Sequence, residues 1–113
     1  MEASRIHDDA SVYYVTFSVV EWLPVFTTAA ACQILINSLQ HCQARKELRV
    51  NAYVIMPTHM HGIFFDREHK STRLAETLTA FRKFTGRNLC DYAATNLPAC
   101  FTQTFATAAG PDR

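Results

Sequence analysis

Two strand-like segments of this chain are separated only by Pro57 and Thr58, and this short connection constrains the fold more than any other feature. The segments, residues 48–56 and 59–66, are rich in β-branched, aromatic and other apolar side chains, which is typical of β-strands. A connection of two residues favours an antiparallel hairpin. The centre of the fold is therefore predicted to be a pair of adjacent strands.

Successive side chains of a strand point to opposite faces of the sheet. After the turn, His59, His61 and Ile63 are expected on one face, and three residues on the core face: Met60, Gly62 and Phe64. Before the turn, the same alternation predicts four residues facing the core: Val50, Ala52, Val54 and Met56. Three others are expected to face away: Asn51, Tyr53 and Ile55.

The rest of the pattern predicts one more strand and two helices. Residues 12–20 alternate as a strand covered on one side, with Tyr14 and Thr16 on the open face. A helix is expected from Thr27 or Thr28 to about Lys46, with an apolar stripe of Cys32, Leu35, Ile36, Leu39 and Cys42. A second helix is expected over residues 71–96, with a stripe of Leu74, Leu78, Phe81, Phe84 and Leu89.

The resulting order, β-α-β-β-α, predicts an α+β fold of the ferredoxin-like, split βαβ kind. Such a sandwich has an antiparallel sheet with two helices on one face, and a fourth strand completes it. The segment 100–105 is a weak candidate for that strand, so we expect the last strand to be incomplete or missing. The predicted boundaries are a disordered tail at 1–11 and one domain at 12–113.

Composition limits the class of protein. The chain has 113 residues, 49% of them hydrophobic, which is enough for one domain with a core of its own. The formal net charge is only +1, so any binding of nucleic acid must use local basic patches. The polar N-terminus, the absence of a long apolar run and the expectation of reduced cysteines predict a cytoplasmic protein without a membrane segment.

His59 and His61 are the strongest candidates for a binding site. Because they lie two residues apart on one strand, both imidazoles project from the same face. Two parallel imidazoles on a rigid strand form half of a site for a divalent metal ion. The sequence therefore predicts metal binding at this pair, although an ordinary exposed pair of polar residues remains the alternative.

Three segments of the chain carry a family resemblance: Tyr13-Tyr-Val-Thr-Phe17, Ala52-Tyr-Val-Ile-Met-Pro-Thr-His-Met-His-Gly62 and Phe81-Arg-Lys-Phe-Thr-Gly-Arg87. They resemble the single-tyrosine HUH transposases of bacterial insertion sequences, and especially the REP-associated tyrosine transposases. The Met-Pro-x-His-x-His block is the specific part of the resemblance. In that family, the two histidines hold a divalent ion, often Mg²⁺ or Mn²⁺. A tyrosine on a later helix cleaves and rejoins single-stranded DNA through a 5′-phosphotyrosine.

The resemblance implies particular partners and residues. It implies a homodimer that binds hairpin-containing single-stranded DNA, with metal ligands His59 and His61. Phosphate contacts are expected from a basic helix surface of Arg73, Arg82, Lys83 and Arg87. Tyr92 is the only tyrosine after the histidine pair, and it is a weak candidate because the family's nucleophile lies much further downstream. The nucleophile helix is therefore expected to be missing, and the domain to be a truncated and inactive HUH transposase domain.

Two other interpretations stay open. The chain is a non-catalytic remnant that binds single-stranded DNA, or it is a ferredoxin-like dimeric metal- or ligand-binding module in which the histidines are incidental. Tyr14 and Tyr53, both predicted on the open face, can either stack on bases or pack beneath another element.

Overall fold

The computed structural model describes residues 12–19 and 23–99 of the chain. Within these ranges it contains five elements in the predicted order: β1 (Val12–Ser18), α1 (Ala29–Arg45), β2 (Leu48–Met56), β3 (His59–Asp66) and α2 (Ser71–Asn96). The candidate fourth strand at 100–105 and the N-terminal tail at 1–11 lie outside the described residues.

The described strands form one antiparallel sheet in the order β1-β3-β2. Pro57 and Thr58 form the predicted turn of the β2–β3 hairpin. α1 and α2 contribute their buried side chains to a single core with one face of this sheet. The architecture is α+β and compatible with a ferredoxin-like split βαβ arrangement, which confirms the predicted fold class.

The helix boundaries follow from local signals in the sequence. Thr28 is the N-cap of α1, where its Oγ1 accepts a hydrogen bond of 3.2 Å from the backbone N–H of Ala31. α1 then turns Leu35, Leu39 and Cys42 into the core, as the predicted stripe requires.

The thiols of Cys32, Cys42 and Cys90 are free, and burial raises the pKa of Cys42.

The covered face of the sheet carries the core. Phe17 is the centre of an aromatic cluster, with its ring centroid 6.3 Å from that of Phe64 and 5.1 Å from that of Phe81. The alternation predicted for residues 12–20 and 59–66 is confirmed, since the residues of the inward face are all buried: Tyr13, Val15, Phe17, Val19, Met60, Gly62 and Phe64. No helix of the described residues is both long and apolar enough to cross a membrane.

The predicted faces of β2 are wrong after Val50. The pairing with β3 shifts between Val50 and Ala52, because Asn51 is an extra residue with no partner in the register. The extra residue reverses the alternation beyond it. Four residues therefore lie on faces opposite to those predicted: Ala52, Val54 and Met56 on the open face, and Ile55 against the core. Tyr53 is displaced as well, since it pairs with inward-facing Gly62.

One member of the predicted stripe of α2 is also misplaced. Phe84 is 42% exposed, and its ring stacks on that of His41 with centroids 5.9 Å apart. Thr85, the next residue, takes the buried position instead. At the edge of an apolar stripe, the surface of a helix changes from buried to exposed. The spacing of apolar residues alone does not decide whether a side chain at that edge is buried.

Candidate metal centre and nucleic-acid interface

The side chains of His59 and His61 converge on the open face of β3. Their Nε2 atoms lie 2.9 Å apart, and their ring planes are inclined by 78°. Both side chains are half-buried, while Met60 between them is fully buried on the other face. Strand alternation thus places both imidazoles on one face of the sheet, as predicted.

Hydroxyl groups contact the other nitrogen of each ring. Nδ1 of His61 lies 2.7 Å from the Tyr14 hydroxyl and 2.9 Å from Thr16 Oγ1. Nδ1 of His59 lies 2.9 Å from Thr58 Oγ1. β1 can supply two of these groups because Thr16 is directly opposite His61 in the β1–β3 pairing. The contacts hold both rings so that their Nε2 atoms face each other at hydrogen-bond distance.

The nitrogen pair fits a divalent cation. In the structure the two Nε2 atoms lie at hydrogen-bond distance from each other, 2.9 Å, and both would be close enough to bind one ion in place of that contact. Imidazole nitrogens suit a transition-metal ion such as Mn²⁺ better than Mg²⁺, which prefers oxygen ligands. Each Nδ1 would carry its proton and donate it to a hydroxyl, as is usual around metal-bound histidine. The pair thus offers two nitrogen donors close together, and metal binding at this pair stays a prediction.

The described ranges contain no cluster of three or more His, Cys, Asp or Glu residues suited to a metal ion. An ion held by His59 and His61 would need further ligands, and water or phosphate oxygens could supply them. Mg²⁺ usually retains several waters and binds substrate phosphates in this way.

The structure does not bring Tyr92 to the histidines. Tyr92 belongs to α2, in the helix layer, and its hydroxyl lies 2.8 Å from Thr28 Oγ1 at the start of α1. His59 and His61 lie on the opposite face of the sheet. Tyr92 therefore joins the ends of two helices in this structure.

Arg73, one of the four predicted basic residues, binds two carboxylates. The guanidinium of Arg73 binds Asp66 through Nε (2.7 Å) and Nη2 (2.8 Å), and Nη2 also lies 2.8 Å from Glu68. Hydrogen bonds from Arg73, followed by those from the backbone N–H groups of Glu68 and Lys70, hold the pKa of Asp66 at about 2. Arg73 thus connects the end of β3 to the start of α2.

Arg82, Lys83 and Arg87 form no ion pair with another described residue. Lys83 and Arg87 are exposed four positions apart on α2, so they share one face of the helix, and Arg82 is half-buried beside them. All three belong to the helix layer, on the other side of the sheet from the histidines. Their role in binding phosphate stays a prediction.

Sequence reasoning missed the hydroxyl contacts of the site. Alternation did place Tyr14 and Thr16 on the face of the histidines, but it gave no reason to connect either residue with His61. The pairing of β1 with β3 brings them to His61, and this register is not visible in a single sequence. The contact between Thr58 and His59 could have been inferred from the sequence, because the two residues are adjacent in the chain.

Protein-family models, curated proteins and solved structures give no match to this chain. Its function is therefore inferred from the histidine pair, the hydroxyl groups around it and the exposed face on which they lie.

Proposed function

We propose that this chain is the DNA-processing domain of a single-tyrosine HUH transposase that acts in the cytoplasm. In this proposal, His59 and His61 hold Mg²⁺ or Mn²⁺, and single-stranded DNA lies on the open face of the sheet. The observation that carries the proposal is the convergence of the two Nε2 atoms, 2.9 Å apart, on an exposed face. The Met-Pro-x-His-x-His segment that produces this arrangement is the specific part of the family resemblance.

The chemistry divides between the ion and the protein. A bound divalent ion supplies positive charge, which polarises a phosphate oxygen and neutralises charge that develops during cleavage. His59 and His61 hold it beside the exposed sheet, where a DNA backbone has access. Tyr14 is 60% exposed next to His61, so its ring is available for stacking with a base.

The nucleophile is the part of the reaction that this chain does not supply in our proposal. Its four tyrosines are Tyr13, Tyr14, Tyr53 and Tyr92. Tyr13 is buried, Tyr53 pairs with inward-facing Gly62, and Tyr92 belongs to the helix layer. The Tyr14 hydroxyl contacts Nδ1 of His61, which is not the ring nitrogen proposed to bind the ion. We therefore expect this chain alone to bind DNA without cleaving it, as a non-catalytic remnant would.

The basic residues suggest a second contact with the DNA. Arg82, Lys83 and Arg87 lie across the sheet from the histidines, so a short strand on the open face does not reach them within one copy. A DNA hairpin has a double-stranded stem and a single-stranded flank. The flank would lie on the open face of the sheet, and the phosphates of the stem would contact α2.

Fluorescence anisotropy with a labelled, hairpin-flanked single strand tests DNA binding at low salt, with and without Mn²⁺. We expect Mn²⁺ to strengthen binding by the parent protein, and the double variant His59→Ala, His61→Ala to lose that increase. Absence of binding to the DNA at low salt would contradict the proposal.

The contribution of α2 is tested with matched charge changes. Replacement of Arg82, Lys83 and Arg87 by Gln should weaken binding and reduce its dependence on salt, because fewer counterions are released. The control replaces three exposed basic residues elsewhere by Gln: Arg45, Lys46 and Arg67. Equal losses of DNA affinity in the two triple variants would show that the net charge of the protein, and not the surface of α2, determines the binding.

A denaturing gel tests the expectation about cleavage. After incubation with the same DNA and Mn²⁺, the parent protein should give no covalent protein–DNA adduct. An adduct that disappears in Tyr92→Phe would make Tyr92 the nucleophile, and one that disappears in Tyr14→Phe would assign that role to Tyr14. Either result would contradict the proposed absence of a nucleophile.

We also propose a homodimer, because β1 and β2 are the outer strands of the described sheet and carry exposed apolar side chains, among them Val12 and Val54. Sedimentation at micromolar concentration tests this, and a monomer at all concentrations would contradict it. The same exposed strands favour the alternative of a ferredoxin-like dimeric metal- or ligand-binding module. Metal binding without any binding of single-stranded DNA would select that alternative.

A further inference from the structure

The hydroxyl contacts of the two histidines come from different parts of the chain. His59 contacts the hydroxyl of Thr58, which is its neighbour in the chain. His61 contacts the hydroxyls of Tyr14 and Thr16, which belong to a different strand. The orientation of His61 therefore depends on β1, which lies more than forty positions earlier in the chain.

The exposure and position of Tyr14 and Thr16 argue against a purely structural role. Neither residue belongs to the core, and Tyr14 is among the most exposed large side chains described. The Tyr14 ring lies nearly parallel to that of His61, at 18° and with centroids 5.5 Å apart. Its hydroxyl and its ring thus both contact the same histidine.

We propose that Tyr14 and Thr16 are positioning residues for His61 that can substitute for each other. The inference rests on the proposed metal site at His59 and His61. An imidazole that binds a metal ion through Nε2 keeps its proton on Nδ1, and that N–H requires an acceptor. Either hydroxyl is close enough to accept it, at 2.7 Å or 2.9 Å. With one hydroxyl removed, the other can still accept this hydrogen bond and hold the ring.

This redundancy predicts a non-additive loss of metal affinity. Loss of a hydrogen-bonding partner of a metal-bound histidine typically lowers affinity by about 10- to 100-fold. Tyr14→Phe keeps the ring and Thr16→Val keeps the shape, so each single variant should bind Mn²⁺ within about 3-fold of the parent. The double variant should lose about 10- to 100-fold. A double-mutant cycle separates this coupling from independent contributions.

Isothermal titration calorimetry with Mn²⁺ alone is the first test. The matched control is the double variant Tyr53→Phe, Thr79→Val, which removes the same two groups from the opposite face of β2 and from the exposed surface of α2. It should bind Mn²⁺ as the parent does. A Tyr14→Phe, Thr16→Val variant that is folded and binds within twofold of the parent would overturn the inference. If the parent itself bound no Mn²⁺, the proposed metal site would fail instead.

Nuclear magnetic resonance of the imidazole nitrogens supplies a readout that a general loss of stability does not change. With diamagnetic Zn²⁺ bound, the parent should show a hydrogen-bonded proton on Nδ1 of both His59 and His61. In the Tyr14→Phe, Thr16→Val variant, the His61 Nδ1 proton should exchange rapidly, and that of His59 should be unchanged because Thr58 is still present. Slow exchange at both histidines in the variant would contradict the assignment.

Discussion

The two faces of the sheet use the same three strands for different purposes. On the covered face, Met60 and Phe64 of β3 are fully buried among apolar side chains from the helices. On the open face, His59 and His61 of the same strand are surrounded by hydroxyl groups. Because alternate residues serve the two faces, substitutions on one face should change stability, and substitutions on the other should change binding.

Two methionines provide the sharpest test of this division. Met60 is 0% exposed on the covered face, whereas Met56 is 41% exposed on the open face. Met60→Ala should reduce the free energy of unfolding by about 2–5 kcal/mol, since it leaves a cavity in the core. Met56→Ala should change it by about 0.5 kcal/mol. Urea unfolding followed by circular dichroism measures both, and equal losses would contradict the assignment of the faces.

The link between β3 and α2 should give the next largest effect. Asp66 is 1% exposed and accepts hydrogen bonds from Arg73 and from two backbone N–H groups. Asp66→Asn should cost about 2 kcal/mol at neutral pH, because it weakens charge-assisted hydrogen bonds. Asp91→Asn, on the exposed side of α2, is the control and should have little effect.

The pH dependence of this link has a definite sign. The pKa of Asp66 falls from an ordinary 3.8 to about 2 in the folded protein. A carboxyl with a lowered pKa contributes stability that is complete above its ordinary pKa and is lost as the pH falls towards the folded value. The parent should therefore lose stability between about pH 4 and pH 2 more steeply than Asp66→Asn. Parallel acid-unfolding curves would argue against this role.

Substitution of Ala for Gly62 and for Gly86 should change stability in opposite directions, because close packing decides the first effect and helix propensity the second. A Cβ at Gly62 would overlap the Phe64 ring, which folds back over it on the covered face. Gly62→Ala should therefore destabilise the protein by about 1–3 kcal/mol. A Cβ at Gly86 would meet no atom within 4 Å beyond its own stretch of helix, so Gly86→Ala should stabilise α2 by up to about 1 kcal/mol. Thermal unfolding should show shifts of opposite sign, and shifts of the same sign would contradict this packing.

Local patterns were sufficient to predict much of this fold. Strand alternation correctly separated Met60 from the histidines, and the short connection at Pro57-Thr58 correctly predicted the hairpin. Capping by Thr28 and the start of α2 at Ser71 also followed from the sequence. In each case the determining interactions lie within a few residues along the chain.

The features that the sequence did not reveal depend on contacts between distant residues. The extra residue Asn51 reverses the faces of half of β2, and a bulge has no reliable signal in an alternating pattern. The ion pair of Arg73 with Asp66 links β3 to α2, and the sequence pattern did not indicate it. The hydroxyls of Tyr14 and Thr16 reach His61 only because β1 pairs beside β3 in one particular register.

Calorimetric titration with Mn²⁺ most directly tests the central claim that the open face carries a metal site. The parent should bind one ion, and the double variant His59→Ala, His61→Ala should lose this binding while it keeps the stability of the covered core. The double variant His41→Ala, His69→Ala removes the same number of imidazoles from exposed positions elsewhere and should bind as the parent does. Unchanged affinity in the His59→Ala, His61→Ala variant would contradict the account.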